Sequence, residues 1–294
     1  MKIIVLGSAA GGGVPQWNCR CRVCELARAG DPRVRARSQC GLAVSRDGED
    51  WLLVNASPDL RTQILATPAL APRAGLRSSP IAAVVLTNGE IDHVAGLLAL
   101  RERQPFHLCA TPGVFRLLDA NPMFSVLSPD VVRRIELVGD LPSDLCGLRV
   151  TPFGVPGKMP LYAEGEGPME EEILGLDISA DGGRCLVVPN CARIDPALCK
   201  RLDGADLLLF DGTTYSDDEM IRLGLSEKSA ARMGHVAMAG EGGALAGLAG
   251  VSAKRKVFIH INNSNPALIE DGPERRCLRA AGWDLAQDGM EIDL

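Results

Sequence analysis

Cys19, Cys21 and Cys24 place three thiols within six residues. A Cys-x-Cys-x-x-Cys spacing lets one turn aim three sulfurs at a single point, and soft thiolates in a closed site suit Zn2+. Three unrelated thiols would gain nothing from such crowding, so the cluster predicts a zinc-binding loop at about 19–24 with a structural role. A closed tetrahedral site needs a fourth ligand, and the sequence offers Cys40 or a distant histidine such as His235. The remaining cysteines (Cys109, Cys146, Cys185, Cys191, Cys199, Cys277) lack ligand spacing and read as small apolar packing residues.

A second concentration of chemistry is harder in character. Thr87-Asn88-Gly89-Glu90-Ile91-Asp92-His93 directly follows the apolar run Ile81–Leu86. Two other apolar runs also end on ligand-type residues, Asp211 after Leu-Leu-Phe and His260 after Val-Phe-Ile. Singly each has an ordinary explanation: a helix cap, a turn, a satisfied core histidine. Three such residues, each closing a β-type run, point instead to one metal site assembled at strand ends. Gly7–Gly13 superficially resembles a phosphate loop, but it lacks the Gly-Lys-Ser/Thr grip and reads as a close-packed turn.

The elements that must position these groups alternate along the chain. Lys2–Leu6, Trp51–Val54, Ile81–Leu86, Phe106–Cys109, Arg149–Phe153, Arg184–Val188, Leu207–Phe210 and Lys256–Ile261 read as short buried strands. Helices are expected near Pro58–Ala66, His93–Arg103, Pro112–Asp119, Pro196–Leu202, Ala237–Gly250 and Pro266–Ala281. No linker, repeat or charge block divides the chain, so residues 1–294 are expected to form one domain.

Composition excludes several classes. With 46% hydrophobic and 23% charged residues the chain is too apolar to be disordered. A net charge of −6 supplies no general attraction for nucleic acid or anionic lipid. The start, MKIIVLGSAAGGG, reads as a strand and turn rather than a secretory signal, and no apolar run is long enough to span a bilayer. A cytoplasmic location with reduced cysteines is therefore expected.

Thr87–Leu97, TNGEIDHVAGL, resembles a degenerate form of the metallo-β-lactamase superfamily signature T-H-x-H-x-D-H-x-x-G-L. Later superfamily loops align with Gly154-Val-Pro-Gly-Lys158, Asp211-Gly-Thr and His260-Ile-Asn-Asn. Within the superfamily, GSAAGGGVPQWNCRCRVC, SPDLR, VPGKMPLY, HINNSNP and DGMEI are similar, over nearly the whole chain, to the PQQ-synthesis B family. The resemblance implies an α/β fold of the αββα sandwich type, two packed mixed sheets flanked by helices. A related phosphodiesterase completes its Cys-x-Cys-x-x-Cys zinc with a histidine whose position corresponds best to His235, which favours His235 over Cys40.

Departures from the pattern carry the functional expectation. The first metal of a dinuclear hydrolase would fall on Asn88, Glu90 and Lys158, and a protonated lysine has no lone pair to give. The second-metal ligands survive as Asp92, His93, Asp211 and His260, with Glu90 as an optional addition. Two histidines with carboxylates are associated with non-haem Fe(II), although Zn2+ or Mn2+ also fit. The chain holds four histidines, whereas a dinuclear member would need about five for its active site. His107 lies in an apolar run and is read as structural. Asn88 and Lys158 are freed to hold an anionic substrate, and Glu90 is left as an extra ligand, a base or a substrate contact. The resemblance thus implies an iron- and O2-dependent hydroxylase acting on the tyrosine ring of a Glu-Tyr precursor of pyrroloquinoline quinone (PQQ). The alternatives are a carrier of PQQ or a precursor toward the periplasm, and, less favoured, a residual metallo-hydrolase. The partner is a small molecule or dipeptide, and the oligomeric state is left open, a homodimer included.

Overall fold

The computed structural model describes residues 1–138, 146–158, 160, 162 and 173–294. Short apolar runs form two sheets. The first contains β1 (Lys2–Gly7), β2 (Gly41–Ser45), β3 (Trp51–Val54), β4 (Ile81–Val85), β5 (Phe106–Ala110) and β6 (Val132–Glu136). The second contains β7 (Arg149–Gly154), β8 (Leu174–Ala180), β9 (Gly183–Val188), β10 (Ala205–Asp211), β11 (Ala253–Ile259) and β12 (Trp283–Leu285). The last strand, β13 (Glu291–Asp293), returns to the first sheet beside β1.

Both sheets are mixed. β3 to β6 run parallel to their neighbours, as do β9 to β12, while β1–β2–β3 and β7–β8–β9 pair antiparallel. In open α/β sheets the carboxyl ends of parallel strands are where ligand sites form, and the chemistry-bearing residues follow β4, β9, β10 and β11.

Strand alternation divides the core into layers. Leu52, Val54, Val85, Val187, Leu207, Leu209 and Val257 face the space between the sheets. Their neighbours Trp51, Leu53 and Val84 face outward under helices that include α2 (Leu60–Ala66) and α4 (Pro112–Asp119), both introduced after α1 (Arg22–Arg28) and separated by the short α3 (Ile91–Val94). On the far side Leu208, Phe210 and Phe258 pack under α5 (Pro196–Leu202), α8 (Ala244–Gly247) and α9 (Pro273–Ala280). Between α5 and α8 lie the one-turn helices α6 (Glu219–Arg222) and α7 (Ala230–Met233). The layer order is helix, sheet, sheet, helix, as expected.

Where local signals were strong the elements match. α4 begins at Thr111, whose hydroxyl accepts from Val114 N at 3.2 Å, and α5 at Asp195, which accepts from Leu198 N at 2.8 Å. Three expected helices are shorter or broken. Ala237–Gly250 is helical only over α8, because Gly240 and Gly242 turn the chain at φ +97° and +73°. Pro266–Ala281 splits into a 3-10 turn, Pro266–Leu268, and α9, with Pro273 holding Gly272 extended before the restart. His93–Arg103 becomes α3 followed by a 3-10 segment, Ala95–Leu100.

Candidate metal centre

The centre forms where loops from both sheets meet. Thr87 is held by Asn55, whose side-chain oxygen accepts from Thr87 N at 2.8 Å, and Thr87 O accepts from Leu174 N across the sheets at 2.8 Å. Asn88 donates from Nδ2 to Asn190 Oδ1 at 3.0 Å, a second bridge between the layers. These links bring the segment after β4 against the ends of β9, β10 and β11.

His93 is fully buried at the start of this arrangement. Asn88 Oδ1 accepts from Glu90 N at 2.9 Å, which identifies that atom as the oxygen, and it lies 2.7 Å from His93 Nδ1. Nδ1 must then carry the proton, leaving the lone pair on Nε2. His93 Nε2 is buried and has no hydrogen-bond partner. Burial pushes the imidazole down to about 4, so it is neutral near pH 7. A buried, neutral, oriented nitrogen without a protein partner is what a metal ligand requires.

Asp92 Oδ2 lies 3.0 Å from His260 Nε2. Burial opposes the charge on Asp92, yet the imidazoles of His93 and His260 outweigh it and hold the carboxyl well below its ordinary range. His260 itself adopts φ +58°, a left-handed conformation that costs a side-chain-bearing residue about 1–3 kcal/mol and recurs at functional sites. Its Nδ1 sits 2.9 Å from Thr213 Oγ1, and Thr213 also donates to Asp211 Oδ1 at 2.7 Å. Asp211 Oδ2 accepts from Cys191 N at 2.9 Å and pairs with His235 Nδ1 at 2.7 Å.

Two trios result, each offering three ligand atoms within 4.8 Å of one another: Asp92, His93 and His260, and Asp211, His235 and His260. Borderline imidazole nitrogens and hard carboxylates form a donor set that suits Fe2+, Zn2+ or Mn2+. The residues present fit such an ion.

The position of His235 corrects an expectation. Its ring stacks on His260 at 5.4 Å between centroids and contacts Asp211, Thr213 and Asn190, so it is committed to this centre and not to the thiolates. The sequence gives His235 a Gly neighbour, and Gly234 is required there. It adopts φ +89°, and a β-carbon would lie 2.8 Å from Lys158 Cβ. Cys40 does not join the thiolates either. It is buried in the inter-sheet core, and burial raises its thiol further.

The centre opens into a cavity of about 410 Å3. Its lining includes Glu90, Asp92, His93, Lys158, Asn190, Thr213, His235 and His260, with Met220, Lys228 and Met233 from the α6–α7 segment and Asn262 after His260. Burial, with Asp92 adding to it, pushes Glu90 up to about 7. Tyr162 donates to the carbonyl of Gly89, the residue before the cavity-lining Glu90, while Met159 and Leu161 of the VPGKMPLY stretch lie outside the described residues. Asn190, Thr213, Asn262 and Lys228 carried no signal strong enough to single them out in sequence. Thr213 and Asn262 lie two residues beyond Asp211 and His260, which was the available clue.

Cys19, Cys21 and Cys24 lie together at the entry to α1, their sulfurs within 4.8 Å of one another. Backbone N–H groups of Gln16 and Cys21 point at Cys24 and Cys19 sulfurs at 3.4 Å each. Asn263 faces the cluster, with Nδ2 3.3 Å from Cys24 Sγ and its carbonyl oxygen 3.5 Å from Cys21 Sγ. Cys19 and Cys24 sulfurs accept from N–H groups while the Cys21 thiol donates to the Asn263 carbonyl, and the three sulfurs converge as a set that, once deprotonated, can hold a soft divalent ion.

The layered fold and the strand-end cup of histidines and carboxylates define a metallo-β-lactamase-type protein. The Beta-lactamase superfamily domain matches residues 50–261. A coenzyme PQQ synthesis protein B of Methylobacterium sp. (strain 4-46) is 56% identical over the full length of both chains. The crystal structure of Zn2+-bound PqqB from Methylobacterium extorquens is 54% identical, covers both chains fully and superposes with a TM-score of 0.96. A diphosphatase of the PhnP family shares the fold, with a TM-score of 0.72 at 23% identity over 99% of this chain and 96% of its own. The chain belongs to the coenzyme PQQ synthesis protein B family of the beta-lactamase superfamily.

Proposed function

We propose that the chain acts in PQQ biosynthesis as a metal-dependent oxygenase that hydroxylates the tyrosine ring of a Glu-Tyr-derived precursor. The observation that carries this reading is His93 Nε2, a buried lone pair with no protein partner, beside Asp92 and His260 in an open cavity. Fe2+ held by His93, His260 and Asp92, with Asp211 as a further ligand or as the group that orients its neighbours, would supply O2 activation at that point. The proton shared by His260 and Asp92 must leave before both can serve as ligands. Asn88 keeps His93 in the binding tautomer, and Thr213 with Cys191 N fixes both oxygens of Asp211. Lys158 supplies positive charge for a substrate carboxylate, and Glu90 stands beside it at the cavity wall. Met220 and Met233 offer an apolar surface for a ring.

Hydroxylation puts one atom of O2 into a ring C–H bond and reduces the other to water with two electrons from an external reductant. The test is anaerobic loading with Fe2+, then addition of O2, ascorbate and glutamyl-tyrosine. The expected product is one oxygen atom heavier, absent without iron. Tight binding of precursor or PQQ without turnover would transfer support to the carrier reading.

The thiolate loop is proposed to hold structural Zn2+, in keeping with the Zn2+-bound relative. One observation favours a second catalytic reading. Because His260 is shared by two ligand trios, two ions in the strand-end cup would support a hydrolase. Metal analysis separates them: the oxygenase reading expects one ion in the cup besides the thiolate zinc, whereas the hydrolase expects two. We take residues 1–294 as one functional unit in the cytoplasm. No described helix is long and apolar enough to cross a membrane.

A further inference from the structure

The charges lining the cavity are not balanced in pairs. Asp92 on the wall faces His260 at 3.0 Å, Asp211 behind it faces His235 at 2.7 Å, and Glu90 lines the same wall without pairing with Lys228 among the described residues. Lys228 is the cation to follow. It is half-buried, lines the cavity, and makes no ion pair among the described residues. A cavity-lining ammonium without a counter-charge is available to donate charge-assisted hydrogen bonds to a ligand's carboxylate.

Its backbone is also fixed. Lys228 N donates to Ser226 Oγ at 3.0 Å, and the first turn of α7 is tied back by Ala230 N to Asp217 O at 2.9 Å and Ala231 N to Asp217 Oδ1 at 2.8 Å. α6 is anchored by its buried Glu219, which accepts from Tyr215 N at 2.7 Å and from Ser264 Oγ at 2.5 Å. The lysine is thus presented from a braced segment rather than a free loop, which reduces the ordering needed on binding. Lys158 reaches the same cavity from a different stretch of chain, after β7.

We infer that Lys228 is a second carboxylate-recognising cation of the cavity, acting with Lys158 to select substrates that carry at least two separated carboxylates. The inference rests on the proposed reading of this cavity as the site of a carboxylate-bearing PQQ precursor. A dipeptide of the glutamyl-tyrosine type meets the requirement, and so does PQQ, which carries several carboxylates. Tyrosine, with one carboxylate, does not.

The experiment is calorimetric titration of the metal-loaded full chain with glutamyl-tyrosine, PQQ and tyrosine, in wild type, Lys228→Gln and Lys228→Arg. Loss of a charge-assisted contact should weaken glutamyl-tyrosine and PQQ by about tenfold or more in Lys228→Gln. Lys228→Arg should stay within about threefold, and tyrosine should respond far less than the dipeptide. Unchanged metal content in the variants establishes that they are folded. The inference is overturned if Lys228→Gln binds both multivalent probes as wild type does, if Lys228→Arg is as weak as Lys228→Gln, or if wild type binds neither probe. Failure of the oxygenase reading looks different: the probes bind with full dependence on Lys228, and no oxygenated product forms.

Discussion

The thiolate loop and the strand-end centre gather ligands in opposite ways. Cys19, Cys21 and Cys24 come from six consecutive residues, and one turn entering α1 suffices to converge them. Asp92 and His260, 3.0 Å apart, are separated by 168 residues and meet only because two sheets stack with their strand ends aligned. The first kind of site is written in spacing, whereas the second depends on topology. They are nevertheless joined by one turn. His260 serves the hard centre, Asn263 faces the thiolates, and Ser264 bonds Glu219 of α6. A disturbance of the soft site can therefore reach the hard one through three residues of backbone.

This comparison fails if the two sites do not lose metal independently. The largest effect is expected for His93→Ala, which removes the buried lone pair. Under the proposed oxygenase and structural-zinc readings, hydroxylation should fall by more than ~100-fold, beyond what loss of a supporting contact costs, while one zinc per chain remains on the thiolates. Elemental analysis beside the turnover assay checks both halves. Next in size is Cys24→Ser. It should release the thiolate zinc and lower Tm by about 5 °C, the shift that ~3 kcal/mol gives at the unfolding entropy of a chain of this length, read by thermal unfolding with and without added zinc. Activity should decline far less than in His93→Ala. If it declined equally, the coupling turn would outweigh the separation of the sites.

The same contrast explains what was legible in the sequence. The layered α/β fold could be read because buried strands are continuous apolar runs, and Trp51–Val54, Pro112–Asp119 and Pro196–Leu202 agree residue for residue. β6 escaped notice because VRRIE is an edge strand with three exposed positions and little apolar pattern. β2, with GLAVS, was too short and small to stand out. Asp211 and His260 stand out because each ends an apolar run, and Asp92 and His93 because they belong to the polar segment that follows one. His235 was not placed correctly, since it follows a one-turn helix instead of a strand and its partner Asp211 lies 24 residues away. The resemblance to a phosphodiesterase that completes its thiolate zinc with a histidine assigns His235 to the zinc instead. In the structure three of the four histidines share the hard centre, and Asn263 faces the thiolates where a histidine had been expected.

A subtler separation concerns orientation rather than ligation. Asn88→Ala leaves every candidate ligand in place but removes the acceptor that holds His93 as the Nδ1–H tautomer. Supporting contacts of this type are worth about 10–100-fold in metal affinity, so the cup should bind its ion that much more weakly, measured by competition with a chelator. Thiolate zinc should be unaffected. Asn88→Asp would keep an acceptor at the same place and should recover much of the loss, which distinguishes tautomer control from a packing defect.

The smallest expected change is the most discriminating for the geometry. His235→Ala should leave the thiolate zinc at one per chain and shift Tm by no more than about 3 °C, because the residue follows a one-turn helix at the cavity wall and does not belong to a core strand. Its loss frees Asp211 Oδ2 of one partner while Cys191 N continues to hold it. Activity should therefore drop moderately under the one-ion reading, by about tenfold, as for loss of an orienting neighbour. Were His235→Ala instead to shed the zinc, the histidine would belong to the thiolates in solution and the division between the two sites would be wrong. Were it to abolish turnover as completely as His93→Ala, the Asp211–His235–His260 trio would be an ion site in its own right, and the centre would be dinuclear.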